Sequence, residues 1–163
     1  MHSRVTKHYQ QQTYAKYSPE MPSDALLKAM NGAHRVLLKM SGGKIGWNAS
    51  SMPVIELTTI GRKSGQERAV LLTSPIQEGD TLVVVASRGG DDHHPAWYLN
   101  LVQNPQVGVV LKGQPKQQMT ARVATSAERE RMWPTVTATY KGYAGYQSKT
   151  DREIPLVLLE PTS

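Results

Sequence analysis

Val54-Ile-Glu-Leu-Thr-Thr-Ile60 runs into Gly61-Arg-Lys-Ser-Gly65, and the apolar texture resumes at Arg68-Ala-Val-Leu-Leu-Thr73. Residues 54–60 are mostly β-branched or aliphatic, which suits a pleated strand, and the glycine-bounded pentapeptide is turn-like. The pattern predicts a strand over 54–60, a tight turn, and a second strand over 68–76. Glu78-Gly-Asp80 is then a hairpin turn into 81–87, whose continuous apolar run Leu82-Val-Val-Val-Ala86 reads as a buried strand. Arg88-Gly-Gly90 breaks that run. His94-Pro95 opens a short helix, Pro95 fitting its first turn, which passes through Trp97-Tyr-Leu99 and stops near Asn104-Pro105. Residues 106–111 and 116–125 predict another hairpin around Lys112-Gly-Gln-Pro115. Ser126 caps a helix of residues 128–131, and 154–160 is a closing strand. About six strands, with few helices long enough for parallel crossovers, predict a mainly β fold with short helices (α+β). A small, largely antiparallel barrel is the natural closure.

Upstream, residues 1–23 are polar and read as an arm, and 24–163 as a single domain. Ser23-Asp24 supplies N-cap chemistry for a helix over 24–40. Leu26, Met30, Ala33, Leu37 and Met40 share one face of it, while Lys28, His34, Arg35 and Lys39 add charge elsewhere. Such a helix packs its stripe on the domain, or rests as a basic amphipathic helix on an anionic membrane.

The chain has 163 residues and no cysteine, which excludes disulfide frameworks, thiolate nucleophiles and cysteine-ligated zinc. Its apolar runs are too short for a transmembrane helix, and its N-terminus lacks a signal-peptide hydrophobic region. A soluble, cytoplasmic protein is the expectation. The net charge of +6 favours an anionic partner.

Three stretches could carry chemistry. Arg62, Lys63 and Ser64, with Arg68 just beyond, set three cations around one turn, a composition suited to phosphate or carboxylate. A solvated hairpin turn has the same composition, and the glycine spacing is not that of a P-loop. Asp91-Asp-His-His94 invites a metal reading, but adjacent side chains diverge and no third nitrogen ligand is near in sequence, so a helix-opening turn is the better account and no metal is expected. Tyr140, Tyr143 and Tyr146 stand three apart in a chain with no Phe. They line one side of a helical turn, as core packing or as the wall of a site for a flat substrate.

Taken together these motifs resemble the deazaflavin-dependent nitroreductase family of actinobacteria, split β-barrel oxidoreductases that use reduced coenzyme F420. Carrying the resemblance are Leu57-Thr-Thr-Ile-Gly-Arg-Lys-Ser-Gly65, Val85-Ala-Ser-Arg-Gly-Gly90, His94-Pro-Ala-Trp-Tyr-Leu-Asn-Leu101 with Asn104-Pro105, and Trp133-Pro134. Tyr140-Lys-Gly-Tyr-Ala-Gly-Tyr-Gln147 and Thr150-Asp-Arg-Glu-Ile-Pro155 complete the set. Each is weak alone; six in order over about two thirds of the chain are specific. The N-terminal helix is variable in this family and contacts the membrane in some members.

The resemblance implies that Arg62, Lys63, Ser64 and Arg68 hold the phosphate and glutamate tail of the coenzyme. It implies that Ala69, Val70, Leu71, Leu72 and Thr73, then Val85, Ala86, Ser87 and Arg88, then Ala96, Trp97, Tyr98, Leu99 and Asn100 line the deazaflavin. Tyr143 closes over it and is the expected proton donor, with Ser87 as the alternate. Thr73, Tyr140 and Tyr146 would shape the acceptor site. Many family members have Lys where Arg88 stands, and the nitroimidazole-reducing type has Tyr where Thr73 stands, which implies a wider or wetter acceptor site here. The implied activity is hydride transfer from F420 to a small electron-poor acceptor: a quinone, an enone or a nitroaromatic. The alternatives are an FMN-binding oxidoreductase on a similar barrel and a basic β-barrel for single-stranded nucleic acid; clustering of charge at one turn, rather than across strand faces, speaks against the latter.

Overall fold

The computed structural model describes residues 48–49, 52–111 and 113–163. The expected arm over 1–23, the helix over 24–40 and Lys112 of the hairpin turn lie outside them. Eight strands are described: β1 (Asn48–Ala49), β2 (Met52–Ile60), β3 (Glu67–Thr73), β4 (Ile76–Glu78), β5 (Thr81–Val85), β6 (Gln106–Leu111), β7 (Gln117–Val123) and β8 (Leu156–Pro161). The helices are α1 (Ala96–Gln103), α2 (Ser126–Thr139) and α3 (Gly142–Gln147), with a short 3₁₀ turn at Arg88–Gly90.

All pairings are antiparallel, in the order β1-β2-β6-β7-β8-β5-β4, with β3 on β2. The expected strand over 68–76 is broken into β3 and β4. Pro75 has no amide to give a ladder, and Ser74 turns the corner: its amide bonds the Pro53 carbonyl, and its hydroxyl lies 2.9 Å from the carbonyls of both Ile76 and Val83. β3 pairs with β2 and β4 with β5, so this broken strand brings the two ends of the sheet together. The result is a split barrel of six strands' width with β1 appended.

β5 and β8 bury both faces, which is why they read as continuous apolar runs. Leu82 and Val84, with Val157 and Leu159, join Ile55, Leu57, Val107 and Val109 inside the barrel, where Leu101, Trp97 and Tyr98 of α1 pack. Val83, Val85, Leu156 and Leu158 face the other way, against Met132 and Val136 of α2 and Tyr143 of α3.

α2 differs from its expected form. It runs over fourteen residues, and its N-cap is Thr125 rather than Ser126. The Thr125 hydroxyl accepts from the Glu128 amide at 3.2 Å, and Glu128 Oε2 accepts from the Thr125 amide at 2.8 Å. That reciprocal box needs Glu three residues after the cap. Thr125 has one, whereas Ser126 would meet Arg129. At the start of α1, Pro95 is the N-cap rather than a residue of the first turn.

Candidate active site

The turn between β2 and β3 is closed by its own backbone: Gly61 N–H donates to the Gln66 carbonyl and Gly65 N–H to the Gly61 carbonyl. Arg62, Lys63, Ser64 and Arg68 are all exposed. Arg68 Nη2 reaches Ser64 Oγ at 3.5 Å. A side chain from α1 ties this turn to the barrel. Asn100 Oδ1 accepts from Arg62 N at 3.1 Å and from Arg62 Nη1 at 3.2 Å, while its Nδ2 donates to Thr59 Oγ1 at 3.1 Å. Both Arg62 groups are obligate donors, so the orientation of the carboxamide is determined.

Beyond β5 the chain enters a second turn. Arg88 has φ 46°, and Gly89 and Gly90 follow at 68° and 88°. Gly90 has a further reason to be glycine, since a Cβ there would come within 2.6 Å of the Tyr146 carbonyl. The turn therefore abuts α3. Arg152 holds it from the other side. Its guanidinium donates to the carbonyls of Ala86, Ser87 and Asp91 at 2.8–3.3 Å, and Nη1 lies 3.4 Å from His94 Nδ1. Because a guanidinium only donates, His94 Nδ1 accepts and Nε2 carries the imidazole proton. Burial, aided by the Arg152 charge, lowers the His94 pKa and favours this neutral form. The His94 ring also lies against Tyr98 at a centroid distance of 4.6 Å.

The three tyrosines do share one side of α3 and its approach. Tyr143 meets Tyr140 and Tyr146 edge-on at 5.3 and 6.1 Å. Only the middle ring is buried, at 6% exposure, and its hydroxyl bonds Thr73 Oγ1 at 3.0 Å. Burial raises the Tyr143 pKa, with the Thr73 hydrogen bond opposing it in part.

The structure thus brings the sequence candidates into three linked groups. The cationic turn joins α1 through Asn100. β3 joins the tyrosine cluster through Thr73. The 86–91 turn meets α1 through Arg152 and His94, and α3 through Gly90. Of the residues lining these parts, Leu71, Val85, Ala86, Ser87 and Asn100 are buried; Val70, Leu72, Thr73, Trp97, Tyr98 and Leu99 are half-buried. Arg152 and Thr59 stood only inside quoted motifs, with no role given to either. Nothing local marks these roles, because the site groups bonded to Arg152, and the Asn100 carboxamide bonded to Thr59, lie 58–66 and 41 residues away.

A family model described as F420H(2)-dependent quinone reductase matches residues 31–161. The chain belongs to this family. It is 35% identical over 130 residues to an F420H(2)-dependent quinone reductase of Mycobacterium tuberculosis, covering 77% of this chain and 86% of that one. Among solved structures, an F420-H2 dependent reductase aligns at 41% identity with a TM-score of 0.60, over 66% of this chain and 94% of the other. A second, described as a domain-swapped dimer, aligns at 36% identity and TM-score 0.63, over 82% and 97%. The split barrel and membership of an F420-dependent oxidoreductase family, both expected from the motifs, are thereby established. Among the described residues of this family member, no helix is long and apolar enough to cross a membrane.

Proposed function

We propose that this F420H(2)-dependent quinone reductase family member passes a hydride from reduced coenzyme F420 to a small electron-poor acceptor of the quinone, enone or nitroaromatic class. The observation that carries the reading is the cationic turn. Among the described residues, no carboxylate pairs with Arg62, Lys63 or Arg68, whereas Lys116, Arg122 and Arg131 are each held by a glutamate. Three un-neutralised cations anchored at one turn suit a phosphate with a glutamate tail, so the residues present fit the group.

When bound, the reduced deazaflavin supplies the hydride; the protein supplies position and electrostatics. Arg62, Lys63, Ser64 and Arg68 grip the anionic tail through charge-assisted hydrogen bonds. Residues 69–73, 85–88 and 96–99 wall the ring and exclude water; Asn100, which the resemblance also sets on the ring, turns its carboxamide to Arg62 and Thr59. Arg152 keeps Ser87 and Arg88 in place by occupying the carbonyls behind them. Tyr143, protonated at neutral pH, shares its proton with Thr73, and this pair donates toward oxygen as negative charge develops there. Ser87 is the alternate donor, and Tyr140 and Tyr146 shape the acceptor site.

Fluorescence titration tests this reading. Oxidised F420 should bind at micromolar concentration or tighter, about −8 kcal/mol, and FMN much more weakly. Tight FMN binding without F420 binding would overturn it.

A further inference from the structure

Asn100 is 5% exposed, and both ends of its carboxamide are in use. One oxygen takes the Arg62 main-chain amide and the Arg62 guanidinium together; the nitrogen gives one of its two hydrogens to Thr59 of β2. Thr59 is fully buried, and its hydroxyl lies 3.5 Å from the Arg68 carbonyl. The next residue of α1, Leu101, is embedded in the barrel core. Barrel wall, helix and turn are thus joined through a single amide.

We infer that Asn100 is a positioning residue: it orients the Arg62 guanidinium at the cationic turn without neutralising it, and so sets the preference for a ligand with an anionic tail. This rests on reading that turn as the anion site.

The chemistry of the holder matters. A carboxylate would fix an arginine as firmly, yet would cancel the charge the ligand needs. Elsewhere the chain does use carboxylates for this purpose: Arg122 lies between Glu128 and Glu160, and Arg131 on Glu78. Those cations already have their charge matched by a carboxylate. A neutral amide oxygen accepts the same two N–H groups and leaves the net charge whole. It also limits the rotamers of a long side chain before binding, reducing the ordering cost that the ligand must otherwise meet. Asn100 therefore acts on the tail through Arg62, and a ligand without the tail separates this role from the place on the deazaflavin that the resemblance gives it.

The test is a binding experiment without turnover. Oxidised F420 and its tail-less deazaflavin riboside, lacking phosphate and glutamates, are titrated by fluorescence into wild type, Asn100→Asp, Asn100→Ala, Arg62→Ala and the Arg62→Ala/Asn100→Ala double variant. Asn100→Asp keeps the acceptor for Arg62, and the Thr59 hydroxyl can reverse to donate to it, so this variant folds even if Asn100→Ala does not. Wild type should prefer the tailed ligand. Asn100→Asp should lose about tenfold or more for that ligand, the scale of one charge-assisted hydrogen bond, and distinctly less for the riboside. The double variant should bind no worse than Arg62→Ala alone.

Wild-type affinity of Asn100→Asp for F420 overturns the inference. So does an equal loss for both ligands, which would put Asn100 on the ring, or losses that add in the double variant. If Arg62→Ala binds F420 normally, or wild type ignores the tail, the anion-site reading itself has failed and this inference falls with it.

Discussion

The Tyr143 hydroxyl, on α3, lies 3.0 Å from Thr73 Oγ1 at the end of β3. With the Tyr143 ring 6% exposed, this bond joins the buried phenol to a half-buried hydroxyl on the strand whose residues the family motifs assign to the deazaflavin. If the two act as one donor, Tyr143→Phe and Thr73→Val should each lower turnover by roughly ten- to a hundredfold, at or below the low end of general-acid effects. The double variant should be no slower than the worse single one, as expected for groups working as a unit. F420 affinity should hold throughout. Normal turnover in Tyr143→Phe would give the proton to Ser87 or water.

Replacing Arg62 and Lys63 together with Ala removes charge from an exposed turn. F420 affinity should weaken, and its dependence on salt should flatten, because screening then has fewer charges to act on. Turnover at saturating coenzyme should change little, since the lost interaction is common to ground and transition states. Titrations at low and high salt check this; an unchanged dissociation constant returns the turn to solvent.

Arg152→Lys keeps the charge but cannot reproduce a planar fork of donors. The carbonyls of Ala86, Ser87 and Asp91 then lose partners beside a turn of left-handed residues. Stability should fall by about 1–3 kcal/mol, chiefly from the buried Ala86 carbonyl left unmet, since Ser87 keeps the Gly90 amide, and F420 binding should weaken with it. Denaturant unfolding together with titration measures both, and wild-type values in each would remove Arg152 from its supporting role.

The Arg122 guanidinium, with the Thr125 amide, holds the Glu128 carboxyl well below its usual 4.5, at about 2. A lowered folded-state pKa contributes stability above the unfolded value and loses it as pH falls through the folded one. Glu128→Gln should therefore melt below wild type at neutral pH. The gap should narrow as pH drops from about 4.5 to about 2. Melting temperatures across that range check the sign; a gap that stays constant would mean that charge is not the source.

Much of the fold was legible because its signals are local. The β2–β3 and β4–β5 hairpins follow from glycine-marked turns between apolar strands, and the double-faced burial of β5 from its unbroken Leu-Val-Val-Val run. The break at Ser74-Pro75 is equally local, but the apolar pattern continues across it to Ile76 and masks the loss of the ladder donor at the proline. The helix expected over 128–131 runs on to Thr139 with Pro134 inside it, its continuation held by the packing of Met132 and Val136 on the barrel.

The sequence by itself determined the main strands of the barrel, though not β1 or the break between β3 and β4, together with the cationic turn, the tyrosine triplet and, through six motifs in order, the family. Residue type and near-neighbour spacing suffice for those. Only the tertiary structure decided which groups work together: Asn100 on Arg62, Arg152 behind Ser87, Thr73 on Tyr143. These hydrogen bonds join residues 38, 65 and 70 positions apart. Their geometry exists only once the barrel has closed and brought its strands and helices into register, so no local pattern encodes it.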